Sequence, residues 1–268
     1  MKPNKITSLA ALVLASLTVA QAATITAWTF DNNAVAVNNS PTPVTGSGTA
    51  TVLGMNNTYN STTSANNADV LSSTGSSTGA SGPLAWRVRG TPGNGWSTQA
   101  PIGTQGAEFD ASTAGFNNIQ ISFDINTTAQ AEANLLLQYT IDGSSWLNAP
   151  LSSAGSLGSL QTASGANTVN SAYVKLGSTA GWNNLITADL SGISTVNNNA
   201  SFGIRIVNAS TGADDLNISG AAYNNTSGNW RYDNVIISGT AAVPEPSSLA
   251  LGGVALAGIA LLRRTRKA

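Results

Sequence analysis

Ile119, Ile121, Phe123 and Ile125 alternate with Gln120, Ser122, Asp124 and Asn126. A period of two puts the four apolar side chains on one face of an extended chain and the polar ones on the other. The segment therefore reads as a half-buried β-strand whose apolar face needs a second layer to cover it. The surrounding residues agree. Asn, Ser, Thr and Gly dominate residues 23–242, whereas Lys and Glu are scarce, so long surface helices lack their usual formers.

Further strand candidates fall at residues 24–30, 85–89, 107–110, 135–141, 145–148, 185–190, 202–207 and 230–237. Asp142-Gly143, between Ile141 and Trp146, supplies the positive φ that a tight hairpin needs. Many short strands with polar turns, over roughly 220 residues, predict an all-β antiparallel sandwich, more jelly-roll- or concanavalin-like than immunoglobulin-like. Residues 54–82, rich in Ser, Thr, Asn and Gly, read as a long irregular insertion. No clean internal repeat is present.

Composition narrows the chemistry. The 268 residues include no Cys and no His, which removes thiol nucleophiles, imidazole bases, the usual zinc and haem sites and disulfides. Between the termini, 5 basic residues face 11 acidic ones, a net charge of −6. Such a surface repels a phosphate backbone, so nucleic acid is not expected as a partner.

The two ends differ from the middle. Lys2 and Lys5 precede an apolar run from Leu9 to Ala20 and then Ala20-Gln21-Ala22, the pattern of a signal peptide over 1–22 that signal peptidase cuts after Ala22. At the other end, Pro244-Glu245-Pro246 precedes an apolar stretch at 249–262 and a basic tail that includes Arg263 and Arg264. A helix of that stretch is about 21 Å long, short for a hydrocarbon core of about 30 Å. The basic tail would hold its end on the cytoplasmic side. The expected organisation is thus a signal peptide, an extracellular domain over 23–242, and a C-terminal segment over 243–268 containing a transmembrane helix.

This order of Pro-Glu-Pro, glycine-containing apolar helix and Arg-rich end resembles the PEP-CTERM sorting signal of bacteria that make extracellular polysaccharide. The resemblance covers residues 243–267. It implies recognition by an exosortase, a membrane protease-transferase, with removal of the tail near Pro244-Glu245-Pro246. It also implies a destination at the cell envelope, cell surface or extracellular matrix. An ordinary membrane anchor is the alternative. Trp28-Thr29-Phe30-Asp31, residues 85–90, 101–106 and 229–235 resemble segments of other proteins with such tails, and Asp233-Asn234-Val235 is similar to the last strand of carbohydrate-binding jelly rolls. That second resemblance implies fold and brings no catalytic residues.

Three kinds of site are weighed. In the sandwiches resembled here a structural calcium often joins the first and last strands, which singles out Asp31 and Asp233, with Asp214-Asp215 as a weaker second place. Calcium takes 6 to 8 oxygens, and two Asp residues that only cap turns explain the same sequence. Glu108 and Asp110, two residues apart, would share a strand face and are similar to the Glu-x-Asp of laminarinase-like glycosidases. No second catalytic glutamate follows them, and Glu132 falls in an expected loop. For carbohydrate binding, Trp96 and Trp182 follow glycines in expected loops where a ring is open to a sugar, while Trp28, Trp86 and Trp230 are assigned to the core.

The reading is an exported, non-enzymatic protein without a cofactor, apart from the calcium considered above, that associates with extracellular polysaccharide in a biofilm matrix. The alternatives are a carbohydrate-binding module with a defined sugar site, a glycoside hydrolase, and a coat assembled through exposed strand edges.

Overall fold

The structure, a computed structural model, describes residues 21–30, 41–57, 85–89, 95–162, 165–221 and 228–242. The expected signal peptide up to residue 20, most of the 54–82 insertion, Asp31, Pro244-Glu245-Pro246, the 249–262 helix, Arg263 and Arg264 lie outside these residues. Among the described residues no helix is long and apolar enough to cross a membrane.

Two antiparallel sheets pack against each other. The first contains β3 (Asn56–Asn57), β4 (Trp86–Arg89), β14 (Asn229–Ala241), β6 (Phe116–Thr127), β12 (Gly181–Asp189) and β9 (Leu151–Ala154) in that order, with β1 (Ala22–Trp28) also paired to β14. The second runs β10 (Ser159–Thr162), β11 (Ala172–Lys175), β7 (Asn134–Thr140), β13 (Gly203–Asn208), β5 (Gly106–Asp110) and β2 (Thr49–Leu53), with β8 (Leu147–Asn148) added to β7. With β1, β2, β3, β8, β9 and β10 set aside, the orders are β4-β14-β6-β12 and β11-β7-β13-β5. The chain crosses between the layers at nearly every step, which is the eight-stranded double Greek key of a jelly roll.

Each expected strand is present, with β6 longer than its alternating centre and β12 and β14 extended at their ends. β2, β3, β9, β10 and β11 escaped the sequence reading because they are only two to five residues long, too short for a period to show, and their registers come from neighbours. The hairpin at Asp142-Gly143 exists but is looser than a two-residue turn, since Tyr139 pairs with Leu147. Gly143 sits at φ +74° as expected. Asp142 Oδ1 accepts the Ser144 and Ser145 N–H groups at 2.8 and 2.7 Å, so the loop carries its own Asx turn.

Ile119, Ile121, Phe123 and Ile125 all face the interior, as their alternation requires. Much of the core is aromatic. Phe109 of β5 lies 5.2 Å from Trp28 of β1, 5.7 Å from Trp86 of β4 and 5.8 Å from Tyr232 of β14, in edge-to-face contacts that favour the ring quadrupoles. One ring of the second sheet is thereby wedged among three of the first. Trp28, Trp86 and Trp230 are fully buried, as assigned.

Asp124 departs from the alternation rule: it belongs to the polar face of β6, yet it is only 1% exposed. Its two oxygens fasten both neighbouring strands. Oδ1 accepts the Leu185 N–H of β12 at 2.7 Å, and Oδ2 accepts the Asn234 Nδ2 of β14 at 2.9 Å. Leu185 and Asn234 have φ of 61° and 47°, and each sits where its strand slips register. One carboxylate thus holds two bulges that lie on either side of the central strand.

Candidate functional site

The outer face of the second sheet carries a cross-strand row of five polar side chains. Register places Asn148 of β8 opposite Gln138 of β7, Gln138 opposite Arg205 of β13, Arg205 opposite Glu108 of β5, and Glu108 opposite Thr51 of β2. Neighbouring strands are about 4.8 Å apart, so the row extends roughly 19 Å. The alternation of these strands dictates it: Ala107, Phe109, Ile204 and Ile206 point into the core, which turns the residues between them outward.

The row is tied together. Arg205 Nε donates to Glu108 Oε2 at 2.6 Å with both side chains partly exposed, and Gln138 Nε2 donates to Asn148 Oδ1 at 3.1 Å. The β7–β8 loop brings Trp146 to Arg205, whose guanidinium carbon lies 3.8 Å from the indole centroid, a cation–π contact. Trp146 is half-buried. An aromatic ring, a guanidinium, a carboxylate, two amides and a hydroxyl therefore share one surface.

Beside the row lies an open depression of 390 Å³ lined by Thr49, Asp110, Ser112, Gly143 and Ser201 among others. Gly203, opposite Asp110 on the neighbouring strand, leaves room for that carboxyl, since a Cβ there would collide with Asp110 Oδ1. Burial, followed by the Glu108 charge, pushes the Asp110 carboxyl up to about 6, and the Thr49 hydroxyl opposes this by donating to Oδ2 at 3.2 Å. Glu108 and Asp110 do share a strand face, as their spacing required, and they hydrogen-bond each other.

The other sequence candidates are scattered. Trp96 is not a loop ring open to a sugar: it is 1% exposed and lies 4.5 Å from the Trp230 ring, edge to face. The flanking glycine marked a turn that folds the indole inward, because burying so large an apolar surface outweighs loop position. Trp182 is a half-buried strand residue of β12 rather than a loop residue, opposite Asn126. Asp233 is fully buried in β14 opposite Asp124, and its Oδ1 accepts the Asn234 N–H at 2.7 Å. β1 and β14 pair antiparallel as far as Trp28 opposite Val235, and Asp31 lies outside the described residues. Register also puts Arg87 and Arg231 opposite each other on the face of β4 and β14 that carries Asp233.

Asp214 and Asp215 diverge. Asp214 Oδ2 accepts the Asn167 N–H at 2.9 Å, whereas Asp215 is buried and hydrogen-bonded to Glu132. Glu132 lies in the loop between β6 and β7, as expected, but it is buried there, 1% exposed, and bridges to Asn217. Sequence reasoning chose neither Trp146 nor Arg205. The available signal was the alternation in residues 203–208, which leaves Arg205 as the outward residue between two isoleucines.

Residues 242–267 match the PEP-CTERM protein-sorting motif. No curated protein and no solved structure matches the chain.

Proposed function

From the premise of an exported chain sorted by exosortase through its C-terminal PEP-CTERM motif, we propose a matrix or surface protein that associates with extracellular polysaccharide through the outer face of its second sheet. The observation that carries this reading is the row Asn148, Gln138, Arg205, Glu108 and Thr51 with Trp146 against it. Amides, a carboxylate and a guanidinium hydrogen-bond hydroxyl groups, and an indole packs on the apolar CH surface of a sugar ring. The row is long, shallow and continuous, which suits a polymer lying across the strands. Each contact is weak, and affinity accumulates along the chain.

The role is non-enzymatic. Retaining glycosidases hold their carboxyls about 5 Å apart around the scissile bond, whereas Glu108 and Asp110 are in mutual hydrogen-bonding contact and Glu108 is engaged by Arg205. Signal peptidase and exosortase are its processing partners, acting before the domain meets its glycan.

Co-sedimentation of the full chain with extracellular polysaccharide of the producing cells tests this, with polymer length followed by size-exclusion chromatography. The expected result is binding without shortening, weakened at least tenfold by R205A or W146A and unchanged by a substitution at Leu160, which lies away from the row. Absence of binding by the wild-type chain would remove glycan association from its role. Shortening of the polymer would make it an enzyme.

A further inference from the structure

At the opposite end of β7 from the hairpin loop, Glu132 and Asp215 hydrogen-bond each other side chain to side chain while only 1% and 3% exposed. Two carboxyls packed together in this way need a shared proton or a cation. Among the described residues neither forms an ion pair with Lys or Arg. Lys175, at the edge of the neighbouring cavity, is exposed and joins neither of them. Burial is the main cause holding both carboxyls above their ordinary range.

A second observation points to a ligand. Asp215 Oδ1 is buried and has no hydrogen-bond partner, although buried acceptors are nearly always satisfied. The surrounding groups supply further oxygen. Ser210 Oγ lies 3.3 Å from Glu132 Oε1, and Asn134 donates its N–H to the same oxygen at 2.6 Å and its Nδ2 to Ser210 at 3.0 Å. Asn134 and Asn217 also line a cavity of 410 Å³ next to the pair, which Glu132, Asp215 and Ser210 themselves do not line. The donor set is all oxygen, with no nitrogen or sulfur ligand, and that selects a hard cation over a transition metal.

We propose that Glu132, Asp215 and Ser210 form a site for a hard divalent cation of the calcium type, with water completing its shell. Calcium lies about 2.4 Å from each ligand oxygen, so two carboxylates already in contact need little movement to share one ion. The site joins the loop before β7 to the segment after β13 and takes in Asp215, one of the second pair of acids weighed for calcium in the sequence. Its purpose is structural: in a calcium-containing medium the ion would tie together the segments that flank β7 and β13, neighbouring strands of the second sheet. This does not depend on glycan binding by the outer face.

Trp230 provides a built-in probe, because its indole N–H donates to the Glu132 carbonyl oxygen at 3.0 Å. The full chain, stripped with a chelator, is titrated with terbium while tryptophan is excited. Expected are sensitised terbium emission that saturates at one ion, displacement by calcium, and a calcium-dependent rise in melting temperature. D215N and S210A should each weaken binding, D215N at least tenfold, with near-UV circular dichroism reporting whether each variant is folded. No sensitised emission and no thermal shift in the wild-type chain would overturn the site, as would an affinity that survives both D215N and S210A.

Discussion

A single carboxylate can determine the course of two strands. Asp124 accepts hydrogen bonds from Leu185 and Asn234, both in the left-handed region and both at register shifts. Asn tolerates that conformation, but a leucine does so only when its surroundings impose it. D124A would leave the two donors without this acceptor and is expected to lower stability by about 2 to 4 kcal/mol, measured by urea unfolding. Asp110 has the opposite character. Its carboxyl, pushed up to about 6 mainly by burial, binds a proton more tightly folded than unfolded, where its value is near 3.8. Its contribution to stability is therefore most favourable below pH 4, declines between pH 4 and 6, and is flat above. D110N should flatten that interval and raise stability at pH 7 by at most about 1 kcal/mol, since solvent screens a half-exposed group. Denaturation midpoints at pH 4, 5, 6 and 7 would show it.

At the scale of elements, the β7–β8 loop connects turn chemistry to the candidate site. Gly143 at φ +74° and the Asp142 Asx turn aim the loop so that Trp146 meets Arg205. Nothing lies within 4 Å of a Cβ built on Gly143, so G143A acts through backbone strain alone. It should cost about 1 kcal/mol, and the loss of a pre-set loop should reduce glycan co-sedimentation more than it reduces stability. Unchanged binding in a destabilised G143A would separate Trp146 from the binding face. The row itself is an element-scale property: none of its five members is near all the others in sequence, and only antiparallel register lines them up.

At the scale of the molecule, the two layers are joined by aromatic rings. Phe109 wedges among Trp28, Trp86 and Tyr232, and Trp96 closes on Trp230. Pairing of β1 with β14, from Ala22 opposite Thr240 to Trp28 opposite Val235, brings the start and finish of the domain side by side. The domain thus leads into the sorting segment from the sheet that also receives its first strand. W96A should remove about 3 to 5 kcal/mol of stability as a core truncation and leave glycan affinity of the folded protein unchanged. Calorimetry and co-sedimentation of the same preparation would distinguish a core tryptophan from a sugar platform.

Local chemistry was legible from residues alone. Alternation at 119–126 predicted a half-buried strand, Asp142-Gly143 a hairpin, the shortage of helix formers an all-β class, and Pro244-Glu245-Pro246 with its tail the sorting segment matched at 242–267. These are signals between near neighbours, where period, φ preference and motif order act directly. Tertiary structure alone decided which polar residues would meet. The pairing of Glu132 with Asp215, the burial of Asp124 and Asp233, and the row from Asn148 to Thr51 join residues that lie far apart in the chain. The inward turn of Trp96 was decided there too. Alternation tells a strand which face is apolar, but it does not name the strand alongside, and a polar group's environment is set by that neighbour.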